Sequence, residues 1–139
     1  MTAPAAIADL IPHRPPMQWI HALVECTEKS AVATAKFGEN DFPVADGKVL
    51  ETALVECVAQ TVAAALGHRA KGGGGATAAK PHGMLVAATN FKIISRPSAE
   101  KTLRVEIEET KRLGPMLMIH GKISCDGQIV ASGDLSLYA

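Results

Sequence analysis

The sequence predicts an α+β domain in which one long buried helix is held by an antiparallel sheet. Two observations predict it. Within residues 53–66 the only clearly polar side chains are Glu56, Gln60 and Thr61. A helix apolar on nearly every face must be covered on nearly every face. The last third of the chain alternates apolar and polar residues, as in Leu103-Arg104-Val105-Glu106-Ile107-Glu108. That is the period of a strand with one face buried. The strands cluster before and after a single helix instead of alternating with helices, which favours α+β over a parallel sheet. At 139 residues the expectation is one domain over residues 1–139, without internal repeat.

The elements follow in order. A short helical start at residues 5–10 leads into Ile11-Pro12-His13-Arg14-Pro15-Pro16, where the prolines fix an extended path. Residues 17–26 and 30–37 read as strands joined at Thr27-Glu28-Lys29, a first hairpin. Residues 38–47 are rich in turn formers. The helix is expected over residues 48–66, with Gly67 as its C-terminal cap. Residues 68–83 contain four consecutive glycines and read as a loop. They lack the Gly-Lys-Ser/Thr of a phosphate-binding loop. Strands are expected at residues 84–94, from Leu103 onward, at 116–125 and at 129–138. Arg96-Pro97, Gly114-Pro115 and Asp126-Gly127 break them, the last as a type I′ turn.

Composition narrows the function. At 47% hydrophobic and 20% charged the chain has a packed core and is not a disordered tail. Fourteen basic residues offset fourteen acidic ones, so the basic footprint of a nucleic-acid binder is missing. An aromatic content of 4% argues against a base-stacking platform. A neutral, apolar chain tends to associate, and an oligomer is expected. Cys26, Cys57 and Cys125 show neither zinc spacing nor a disulfide framework; they read as reduced thiols of a cytoplasmic protein. The first eleven residues lack the basic start of a signal peptide, and no apolar run reaches the roughly 18 residues of a membrane span.

The residue out of place is Glu56. A carboxylate in an apolar helix needs a partner, and Gln60, one turn on, shares its face. Glu56 facing solvent or bridging a dimer contact stays open. His21, His68, His82 and His120 have no metal-ligand spacing, so no metal is expected. Met116 and Met118 read as packing or lining residues.

Several motifs, taken in order, resemble one family. Glu56-Cys57-Val58-Ala59-Gln60 is similar to the Glu-Ala-x-Ala-Gln signature of the hot-dog-fold 3-hydroxyacyl-[acyl-carrier-protein] dehydratases (FabZ-like). Ile11-Pro12-His13-Arg14-Pro15-Pro16-Met17 resembles that family's Leu-Pro-His-Arg-x-Pro segment, Phe42-Pro43 its His-Phe-Pro, and Asn90-Phe91-Lys92 a later strand. The resemblance covers almost the whole chain. It implies a hot-dog fold, a central helix wrapped by a curved antiparallel sheet, with an acyl chain entering at a dimer interface. Two departures stand out. Asp41 occupies the place of the family's catalytic His. Val49-Leu50-Glu51 replaces its Met-Pro-Gly, with Asp46-Gly47 as a rearranged turn. Such changes resemble the divergent dehydratase-like proteins of aryl-polyene pathways.

The resemblance implies three readings. As a dehydratase of 3-hydroxyacyl thioesters in fatty-acid or polyketide-type biosynthesis, the chain would use Glu56 as acid and Asp41, Asp46 or His13 as base. Phe42, Pro43, Gly47 and Gln60 would bind substrate. As a hot-dog thioesterase it would use a carboxylate on or near the helix. As a degenerate acyl-binding subunit it would complete the dimer of a competent dehydratase. Expected partners are an acyl-carrier protein or CoA thioester and a second chain, in a homo-oligomer or a hetero-dimer with a related dehydratase, with no cofactor, nucleic acid or membrane. Arg69, Lys71, Lys80 and Arg96 are candidates for docking an acidic carrier protein.

Overall fold

The computed structural model describes residues 7–11, 14–72 and 84–138. His13, Lys80, His82 and most of the glycine run lie outside the described residues.

A 3₁₀ turn at Ile7–Asp9 precedes strands β1 (Ile20–Cys26) and β2 (Ser30–Ala35). A short hairpin follows, β3 (Val44–Ala45) with β4 (Lys48–Val49), and then helix α1 (Glu51–Gly72). Strands β5 (Met84–Ile93), β6 (Leu103–Leu113), β7 (Met116–Cys125) and β8 (Gln128–Tyr138) complete the chain. Six of them form one antiparallel sheet in the order β1-β2-β6-β7-β8-β5, and α1 lies against it.

The strand patterns explain the layering. Leu103, Val105 and Ile107 of β6 are buried while Arg104 and Glu108 are exposed. Leu117, Ile119 and Ile123 of β7 and Leu135 and Leu137 of β8 add to the same face, where they meet Leu54, Val58 and Val62 of α1. Each such buried aliphatic side chain contributes about 1.5–3 kcal/mol relative to exposure. The turns are as the sequence requires: Asp126 and Gly127 have φ of 52° and 81°, both positive as a type I′ turn demands.

Helix α1 differs from expectation at both ends. Lys48 and Val49 pair with Ala45 and Val44 instead of starting the helix. The turn between them is Asp46-Gly47, with φ of 54° and 74°. The helix also continues past Leu66 to Gly72. Gly67 is therefore no cap. It is buried inside the helix, and a side chain there would run into the Leu10 carbonyl. Glycine at that position lets the helix lie on the N-terminal segment, whose Leu10 and Ile11 are also buried. A second close approach lies at mid-sheet. Gly121 of β7, paired with Gly133 of β8, leaves room for Val58, whose Cγ1 would stand 2.5 Å from an added Cβ.

Strand β5 is a sheet edge, bonded to β8 on one side only among the described residues. Its Ala87, Ala88, Thr89 and Asn90 are exposed.

Candidate functional site

The helix carries the site's central carboxyl. Glu56 lies in the first half of α1 and is half-buried. A stripe of the same helix that the chain's own sheet leaves partly open, Val55, Ala59, Ala63 and Leu66, runs beside it. Gln60, at i+4, is fully buried. Its Nε2 donates to Glu56 Oε2 at 3.2 Å and to the Met17 carbonyl at 2.7 Å. Its Oε1 accepts from the main-chain N–H of Trp19 at 2.9 Å and of Ile20 at 3.4 Å. The amide expected against substrate is thus committed to Glu56 and the approach to β1.

That approach brings in an aromatic group. Trp19 Nε1 donates to the Pro16 carbonyl at 2.7 Å. Its ring stands edge-on to Phe37 and Phe42, with centroids 5.8 and 5.6 Å away. Phe42 is 58% exposed, so it is available to an apolar ligand. Pro43 is buried, and its carbonyl accepts the Leu50 N–H at 2.8 Å, which ties the Phe-Pro segment to the start of α1. A cleft of about 180 Å³ opens beside Trp19, between Pro16, His21, Lys36 and Asp41.

The other candidate acids occupy turns. Asp41 is exposed, and its Oδ2 accepts the Gly38 N–H at 2.7 Å, closing the turn that precedes Phe42. Asp46 is exposed at the β3–β4 turn, and the Gly47 carbonyl accepts the Ala99 N–H at 2.8 Å. Two expected docking cations are bound to main chain. Arg96 donates to the carbonyls of Val49, Ala45 and Lys48 at 2.9, 3.0 and 2.9 Å. Arg69 donates to Thr27 O at 2.8 Å, closing the β1–β2 turn. The side chain of Lys71 lies outside the described residues.

The thiols are poor nucleophiles. Burial, reinforced by the Glu56 charge, pushes the Cys57 thiol far above its ordinary range. Burial raises Cys26 as well, partly offset by Arg69. Only the thiolate attacks, so neither is activated. Sequence reasoning passed over Trp19, and it read Arg96 as a docking cation where the structure shows it bonded to main-chain carbonyls. The signal for Trp19 was there: it is the chain's single tryptophan, three residues after a proline pair.

A family profile described as ApeP-like, ApeP dehydratase, matches residues 5–139. The chain belongs to this family. Its fold is the hot-dog fold expected from the sequence, and it is a dehydratase-like protein. A chain of the dehydratase heterocomplex ApeI:P from Xenorhabdus doucetiae superposes with a TM-score of 0.85 at 18% identity, over 96% of this chain and 90% of that one. An HP0420 homologue from Helicobacter felis gives 0.71 at 13% identity, over 94% and 85%. A hypothetical thioesterase from Streptococcus pneumoniae TIGR4, with coenzyme A, gives 0.65 at 11% identity, over 84% and 82%. No curated protein sequence matches the chain. Among the described residues no helix is long and apolar enough to cross a membrane.

Proposed function

We propose that the chain is a subunit of a 3-hydroxyacyl-thioester dehydratase and that Glu56 is its acid. A base removes the proton from C2, the C2–H electron pair forms the C2=C3 double bond, and the C3–O bond breaks. Glu56 gives its proton to the departing oxygen, which leaves as water. The observation that carries this reading is Glu56 on the central helix, fixed through Gln60 beside the open apolar stripe of α1. That stripe and Phe42 suit an acyl chain carried as an acyl-carrier-protein or CoA thioester.

Asp41, Asp46 and His13 are the candidate bases within the chain. A carboxylate is a weaker base than imidazole near neutral pH. A related dehydratase chain that keeps its His would bring a stronger base to Glu56. We therefore place the chain in a hetero-dimer with such a partner. The likeness to a dehydratase heterocomplex and the open edge of β5 support it. The three free thiols suit a reducing, cytoplasmic setting.

The test follows a 3-hydroxyacyl thioester with the chain alone and with a related dehydratase chain. Alkene forms, and Glu56→Gln lowers its rate by about 10²–10⁴-fold. An unchanged rate removes Glu56 from the reaction. Thioester hydrolysis without alkene replaces the dehydratase reading with the thioesterase one.

A further inference from the structure

Gln60 is the side chain of the site that the fold constrains most. It is fully buried, so water cannot satisfy its amide. The two ends of an amide are alike in shape and differ in what they bond. Here the main chain decides between them. The N–H groups of Trp19 and Ile20 point at one end, at 2.9 and 3.4 Å, which must be the oxygen. The Met17 carbonyl faces the other end at 2.7 Å, which must be the NH₂. Reversed, the amide would set NH₂ against two N–H groups and oxygen against a carbonyl, and every bond to the main chain would be lost.

The remaining N–H of Nε2 is left for Glu56 Oε2, at 3.2 Å. A donor facing Oε2 makes that oxygen an acceptor whether or not Glu56 holds a proton. A hydrogen placed on Oε2 towards Gln60 would meet the amide hydrogen. We propose that Gln60 is a positioning residue: the main chain of residues 17–20 sets its amide, and the amide holds Oε2 of Glu56. The carboxyl is thus oriented by the segment ahead of β1. The same bonds tie Trp19, and with it Phe37 and Phe42, to the acid.

This inference rests on Glu56 being the reacting acid, and its test separates the two failures. In the full chain labelled with ¹⁵N at glutamine side chains, the Gln60 Nε2 protons are compared by NMR between the wild type and Glu56→Ala. One of them is hydrogen-bonded and slow to exchange in the wild type and loses that protection in Glu56→Ala, while the other, bonded to the Met17 carbonyl, keeps it. Two protons unchanged by Glu56→Ala overturn the inference, whatever the activity. In the active assembly, Gln60→Met lowers kcat about tenfold or more with KM within about twofold, the mark of a group acting in the transition state. In the Glu56→Gln background the same change costs about twofold or less. Equal losses in both backgrounds overturn the inference in favour of a structural role. If Gln60→Met fails to fold, the NMR comparison, which leaves Gln60 in place, decides the inference. An assembly with no turnover removes the dehydratase reading alone, and the NMR comparison still decides the inference.

Discussion

Gly67 has two opposing demands on it. In a helix interior alanine is favoured over glycine by about 1 kcal/mol. Here a methyl group would strike the Leu10 carbonyl, which is main chain and cannot swing aside. Gly67→Ala is therefore expected to lose about 1–3 kcal/mol net, the usual cost of overpacking, and calorimetry should record a lower Tm. A higher Tm would mean that the N-terminal segment shifts without cost. The same residue marks a limit of sequence reading. A glycine after an apolar helical run reads as a cap, and nothing in one sequence tells a stop from a close approach. Glu56 and Gln60 were legible because two polar residues one turn apart stand out in an apolar run. The bonds from Gln60 to residues 17–20 were not, since they join segments some forty residues apart.

One guanidinium clasps the β3–β4 hairpin in addition to its main-chain bonds. Arg96 bonds three of its carbonyls, while its 4.0 Å approach to the exposed Glu51 adds little. Arg96→Met is expected to destabilise by about 1–3 kcal/mol, because the carbonyls lose charge-assisted partners. Hydrogen exchange should quicken at the amides of Val49 and Leu50, which bond Pro97 O and Pro43 O, and stay unchanged in β7 and β8. Uniform quickening throughout would contradict a local clasp. The longer strands were readable from their alternation and from Asp126-Gly127. The hairpin was not, because strands of two residues show no period. Asp46-Gly47 alone carried its signal, and it was read as a rearranged family turn.

At the scale of the whole molecule, the exposed β5 edge needs an explanation. Open edges invite pairing, and charges placed along them block it. Native mass spectrometry of a mixture with a related dehydratase chain should show a one-to-one complex. Ala88→Lys should abolish that complex without unfolding the chain. A complex that survives the substitution places the interface elsewhere. Neutral charge and an all-round apolar helix are what point to association from the sequence, whereas a partner's identity would be written in residues of another chain. One further point concerns Val58. It fits like a peg into the notch that Gly121 leaves in the sheet, and so indexes the central rod against the strands. Sliding the rod by a residue would lift the peg onto solid strand. How deep the acid sits is therefore gauged from the far side of the rod, by the absence of one methyl group.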